Sequence, residues 1–212
     1  MLSWLNRQRQ QLHGFYRSDF RNTLLCAAVA FLAVMLLSFC VCLRAESFIS
    51  WLKDWFTQQI VDAGVVDADG SFSVLRLLGN NLQAMVLAIG YGFIPFLFLP
   101  ALSLGINALL LGGFAAYYCS SGIPLWFYAA GTLPHGIFEL PALVLAMAGG
   151  LYLCRSITDY IRYNEKGIVG PLVKNLLRLL VLHILPLVIA AALVETYLTP
   201  ALLQALAPLA GL

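Results

Sequence analysis

Apolar runs of about 20 residues recur along the chain between short polar stretches, and about 20 residues at 1.5 Å each is what a helix needs to cross a hydrocarbon core. Thr23–Leu43 is the cleanest run; Asn81–Leu99 and Ala101–Cys119 follow, with Pro100 marking a hairpin between them. Pro134–Cys154 makes a fourth, preceded by the aromatic stretch PLWFYAAGTL, and Asn175–Thr199 a fifth. The tail PALLQALAPLAGL is apolar but interrupted by Pro200 and Pro208, which places it at the interface instead of across it. The pattern predicts an all-α fold: a polytopic transmembrane helical bundle of about five spans with interfacial amphipathic helices. It divides into a lead-in (1–22), a first span (23–43), an outer amphipathic segment (44–79), a core of four spans (80–200) and the tail (201–212).

Composition removes the soluble alternative. Of 212 residues, 61% are hydrophobic and 10% charged, against about 45–50% and 25% in soluble domains. The first apolar run starts only after Asn22 and has no small-residue cleavage site before Arg44, so it reads as a retained span and not a signal peptide. Five cysteines, three of them (Cys26, Cys40, Cys42) inside that span, form no C-x-x-C pair and no disulfide framework. A net charge of +2 without a basic, aromatic-interleaved patch argues against a nucleic-acid partner.

Charge asymmetry orients the chain. Arg7, Arg9, Arg17 and Arg21 precede the first span, and five cations lie between Arg155 and Arg178. Placing both stretches in the cytoplasm puts nine of the twelve Lys and Arg residues inside. The N-terminal LSWLNRQRQQLHGFYRSDFRN reads as an amphipathic, membrane-surface lead-in. In the 44–76 stretch, Phe48, Trp51, Leu52, Trp55, Phe56 and Ile60 recur at helical spacing opposite Lys53, Asp54 and Gln58. Such a helix lies on the outer interface or docks an extracytoplasmic protein. DADG at 67–70 fails the calcium-loop template, because Phe72 and Leu78 stand where Gly and the bidentate Glu belong. It is a turn.

Ionisable and amide groups inside spans are costly, so each needs an account. Asn80 and Asn81 open the second span, Asn107 lies in the third, His135 and Glu139 in the fourth, His183 and Glu195 in the fifth. On the proposed topology Asn81 and His135 are near the outer surface, and Glu139 is one turn, about 6 Å, further in. Glu195 falls about 7 Å short of Pro200. These four share one layer of the membrane, with Asn107 deeper. His135 and Glu139 are i and i+4, hence on one helix face. Pro134 fits a first helical turn, which predicts a helix start there and a broken or re-entrant segment before it at Gly131 and Thr132. An imidazole and two carboxylates are a donor set for zinc. The same groups would serve a proton relay, a catalytic base at Glu139, or a buried hydrogen-bonded pair joining spans. H-E-x-x-H is absent, which weighs against a protease, and no P-loop is present. His183, alone near the cytoplasmic end of its span, reads as packed or snorkelling. Gly105, Gly112, Gly113, Gly149 and Gly150 suit close helix packing, within the chain or in a homodimer.

The same residues carry a resemblance. NNLQAMVLAIGYGFIPF, LSLGINALLLGGFA, the stretch His135-Gly-Ile-Phe-Glu-Leu-Pro-Ala and IAAALVETYLTP together resemble the stage II sporulation protein M family. The matching positions are Asn80, Asn81, Asn107, His135, Gly136, Glu139, Pro141, Ala142, Glu195, Thr199 and Pro200, within about residues 75–200. Ala108 departs from the Gly expected after Asn107. The resemblance implies a multi-pass protein of the bacterial inner membrane, for which the charge asymmetry sets a cytoplasmic N-terminus. It also implies a scaffold in cell-envelope remodelling that meets lipid and other membrane or envelope proteins. It carries no catalytic mechanism, so an active alternative stands beside it: a zinc-dependent intramembrane enzyme or transporter subunit with His135, Glu139 and Glu195 as metal ligands and Asn80, Asn81 and Asn107 in support.

Overall fold

A computed structural model describes residues 2–45, 48–51, 54, 73–164 and 167–211, and every regular element among them is helical. In chain order these are α1 (Leu2–Tyr16), α2 (Phe20–Cys42), α3 (Val74–Gly90), α4 (Leu99–Ser120), α5 (Leu125–Tyr163) and α6 (Val169–Ala210). Two π-helical turns, Leu180–Ile184 and Val194–Leu198, interrupt α6. Four helices, α2, α4, α5 and α6, are long and apolar enough to cross a membrane. Most of the predicted 44–76 amphipathic helix, with Trp55, Phe56, Ile60 and the DADG turn, lies outside the described residues. Of its described part, Ile49 is buried, while Phe48 and Trp51 stack 5.7 Å apart.

The second span differs from expectation. The helix runs Val74–Gly90, not Asn81–Leu99, and its 17 residues reach about 26 Å, less than a ~30 Å hydrocarbon core. Hydropathy alone extends it through YGFIPFLFLP, but the backbone there cannot stay helical. Ile94 is extended ahead of Pro95, as the pyrrolidine ring requires, and Phe96 and Phe98 take positive φ values of 68° and 46°. The loop is anchored to α5: Cys154 Sγ reaches the Ile94 carbonyl at 3.3 Å, and the Phe96 N–H donates to Thr158 Oγ1 at 3.2 Å.

The predicted break before the fourth span is also absent. α5 is one 39-residue helix with Pro134 and Pro141 inside it. Each proline removes one intrahelical bond, leaving the carbonyls of Ala130 and Ile137 without their usual partner. Membrane helices tolerate this where neighbouring helices pack against the site. Here the segment before Pro134 has such neighbours. Tyr128 Oη donates to the Leu111 carbonyl of α4 at 2.8 Å, and Gly131 faces Leu203 of α6. The tail residues 199–210 therefore continue α6 as helix along the start of α5.

α5 is the hub. Its Ala142, Leu143, Ala146, Met147 and Leu153 are buried with Phe20, Ala27 and Phe31 of α2, Met85 and Ala88 of α3, Leu104 and Ala108 of α4, and Leu176, Leu179 and Val188 of α6. α2 turns Leu25, Val29, Leu32, Leu36 and Leu37 outward, a face suited to lipid. Two glycines bring backbones into contact. Gly150 of α5 lies against the Ala88 carbonyl of α3, and Gly112 of α4 against the Met35 carbonyl of α2. Gly105, by contrast, has open space where a side chain would start. Ser38 of α2 adds a hydrogen bond to the Leu109 carbonyl of α4 at 2.8 Å.

Candidate metal centre in a polar chamber

One face of α5 carries Tyr128, Thr132, His135 and Glu139, spaced four, three and four residues apart, so a straight helix presents them as a stripe. That stripe borders a cavity of about 650 Å³. Asn80 and Asn81 reach it from α3, Asn107 from α4, and Glu195 from the second π turn of α6. All six side chains singled out in the sequence line this one chamber, with Tyr117, Tyr118 and Tyr128 along its wall. Asn107, expected deeper, joins them, its amide nitrogen donating to the Ser103 carbonyl at 2.9 Å.

Within the chamber, one donor atom each from His135, Glu139 and Glu195 lies within 4.8 Å of the others, and all three residues are half-buried. Neither carboxylate has a Lys or Arg within ion-pair distance among the described residues; the Arg155–Asp159 pair, at 3.7 Å, is more than three turns further along α5. Two carboxylates this close in a poorly hydrated site repel unless a proton or a cation lies between them. His135 Nδ1 is 3.4 Å from Thr199 Oγ1, and that hydroxyl also lies 3.3 Å from the Val194 carbonyl. A carbonyl only accepts, so Thr199 donates to Val194 and its oxygen accepts a hydrogen bond from Nδ1–H of His135. Nε2 is then the unprotonated nitrogen, oriented by its partner as ligating histidines are.

Sequence reasoning passed over Tyr128, gave Thr132 only to the predicted break, and named Thr199 only as a position matching the family. The signal was available: extending the i, i+4 face back from His135 reaches Thr132 and Tyr128, and Thr199 is Glu195 plus four. The assumed break at Pro134 hid the first two. Thr196, beside Glu195, has a buried hydroxyl with no hydrogen-bond partner among the described residues. His183 is not part of the chamber; its Nδ1 is 2.8 Å from Tyr16 Oη in α1, with the rings stacked 5.5 Å apart.

The described residues are all-helical in their regular structure, with four helices of membrane-spanning length round a polar chamber, the architecture of a polytopic membrane protein. Residues 23–200 match the family described as Stage II sporulation protein M, and the chain belongs to that family. Two uncharacterised proteins of Methanocaldococcus jannaschii are similar to it. One is 30% identical over 130 residues, covering 61% of this chain and 72% of its own length. The other is 28% identical over 198 residues, covering 89% of this chain and 87% of its own. No solved structure matches.

Proposed function

We propose that this chain is a membrane-embedded component of a cell-envelope remodelling complex, and that its chamber is a divalent-cation centre held by His135, Glu139 and Glu195. The observation that carries this reading is the convergence of three donors from two helices within 4.8 Å, with no protein cation beside the two carboxylates among the described residues. One imidazole and two carboxylates suit zinc. Zinc bonds of ~2.0–2.2 Å set tetrahedral ligand atoms about 3.3 Å apart, so the donors have up to about 1.5 Å to close, a distance within reach of carboxylate rotation. On the charge-based topology, with α3 and the loop after it together making the second crossing, the chamber lies in the outer leaflet of the cytoplasmic membrane and the N-terminus inside.

In the scaffold role the ion ties α5 to α6 and holds the outer faces in one arrangement for membrane and envelope partners, a second copy of the chain among them. A second reading rests on the openness of the chamber. Three protein ligands with a free position are the mark of catalytic zinc, whereas structural sites are closed by four. Asn80, Asn81, Asn107 and Tyr128 would then orient a water or substrate, as in a metal-dependent intramembrane enzyme or a transporter subunit. Metal analysis of the purified full chain tests the shared premise. About one zinc per chain is expected, lost in His135→Ala, Glu139→Gln and Glu195→Gln. Variants that fold as the wild type does, and a wild type that takes up no zinc when supplied with it, would sink the metal centre. Zinc held at the same stoichiometry by all three variants would place it elsewhere.

A further inference from the structure

At the end of the molecule away from the chamber, α1 packs across the first turns of α6, and the groove between them is basic. It has a volume of about 690 Å³ and is lined by Lys174, Asn175 and Arg178 of α6 and by Gln11 and Ser18 beside them. Lys174 and Arg178 are i and i+4, so both face the same side of the helix. The Arg178 guanidinium is already held in place: Nε donates to Gln8 Oε1 at 2.5 Å and Nη1 to Asn175 Oδ1 at 2.7 Å. A planar fork with two donors committed and the rest available is a pre-organised acceptor site for a phosphate or carboxylate. Among the described residues, no Asp or Glu lines the groove.

The other half of the groove is apolar. Phe15, Tyr152, Ile168, Pro171 and Leu172 line it there with Gly14, and Phe15 and Leu172 are themselves buried. A cationic rim above an apolar floor, where an amphipathic helix meets the end of a membrane-length helix, fits a headgroup joined to acyl chains better than a free anion. Another flank of α1 borders a second cleft of about 630 Å³, where Arg9 is the cation among the described lining residues. α1 precedes the stretch matched to the family, residues 23–200.

We propose that the α1–α6 groove binds the phosphate of an anionic phospholipid headgroup, with Lys174 and the outer edge of the Arg178 guanidinium as its contacts. The site clamps α1 to α6 through a lipid as well as through protein contacts. It stands independently of any metal in the chamber.

The test is retention of lipid by the purified full chain in nanodiscs and in detergent, comparing phosphatidylglycerol with phosphatidylcholine. The wild type is expected to retain the anionic lipid preferentially, with a preference that weakens as salt rises. Lys174 is exposed and forms none of the described hydrogen bonds, so Lys174→Gln leaves the fold intact. It is expected to reduce the preference about fivefold, the effect of one basic residue near an anionic surface. Arg178→Gln should reduce it further, and its α-helical circular dichroism checks that α1 remains folded. Equal retention of the two lipids by the wild type, or an unchanged preference in Lys174→Gln, overturns the proposal. Displacement of the lipid by inorganic phosphate at concentrations where phosphate alone saturates the chain overturns the lipid assignment in favour of a soluble phosphate.

Discussion

Gly150→Ala and Gly105→Ala are the same chemical change, and the structure predicts opposite signs for them. A methyl group on Gly150 would overlap the Ala88 carbonyl oxygen and approach Pro100 Cγ to 2.9 Å. An ordinary carbon–oxygen approach is about 3.3–3.6 Å, so α3 and α5 must part by about 1 Å. No rotamer change relieves the contact, because the obstacle is backbone. Overpacking of this kind costs about 1–3 kcal/mol, with a backbone obstacle near the upper end. At roughly 2–4 °C per kcal/mol for a chain of this size, the melting temperature falls by about 6–12 °C. At Gly105 nothing lies within 4 Å of the added carbon, and the helix gains about 0.5–1 kcal/mol from reduced backbone freedom, a rise of about 1–4 °C. Thermal unfolding of the full chain in detergent, followed with a thiol-reactive fluorophore, reads both. Cys42 and Cys154 are buried and become reactive on unfolding, while Cys26, Cys40 and Cys119 set the baseline. A Gly150→Ala protein that melts at or above Gly105→Ala refutes the packing argument. The stake is more than stability, because this contact fixes α3 on α5 and so places Asn80 and Asn81 opposite His135 and Glu139.

Other outcomes rest on the same geometry. Zinc content should fall as pH is lowered, since imidazole and carboxylate ligands must be unprotonated to bind; dialysis at stepped pH with metal analysis at each step measures it, and a pH-independent content contradicts the proposed ligands. Burial pushes the Tyr16 phenol up from 10.0 to about 12. A raised acid favours the folded state while neutral, so its contribution is complete below pH 10 and is lost as pH rises from there toward 12. Tyr16→Phe should remove that alkaline loss in pH-dependent melting curves, and an unchanged alkaline limb argues against it. Ser38→Ala deletes the α2–α4 bond to Leu109 and should lower the melting temperature by about 1–3 °C, given the ~0.6 kcal/mol typical of polar contacts between membrane helices; no change would mean that α2 is held by apolar packing alone.

Helix existence and the membership of the polar centre were legible in the sequence, for a physical reason. Desolvated His, Glu and Asn in an apolar run must find one another, and counting 1.5 Å per residue from span ends gives their depths. That count gathers His135, Glu139, Glu195 and Asn81. Helix ends were less legible. Residues 91–99 are as apolar as a span, and only the joint effect of Ile94–Pro95 and the left-handed Phe96 and Phe98 shows that the chain turns there. Pro134 misled in the opposite direction. Its effect on the helix depends on whether neighbours support the preceding turn, and Leu111 and Leu203, which flank that turn, are distant in sequence.

Proline has a different and more regular effect in α6. Leu180–Ile184 is succeeded by Pro186 and Val194–Leu198 by Pro200, each π turn ending two residues before its proline. A proline ring clashes with the carbonyl four residues back and supplies no N–H to it. Widening the preceding turn by one residue relieves the clash and keeps the rod helical. In both turns the closing N–H reaches back five residues, Leu185 to the Leu180 carbonyl and Thr199 to that of Val194. The extra residue rotates the C-terminal remainder of the rod by about 100° relative to an uninterrupted helix. Both turns carry a polar side chain that meets a neighbour: His183 against Tyr16, and Glu195 in the chamber with His135 and Glu139. Pro200 therefore belongs to the polar centre without touching it. By imposing the wide turn it sets Glu195 and Thr199 toward α5, and a run that reads as a helix breaker after a stray acid is one device for aiming that acid.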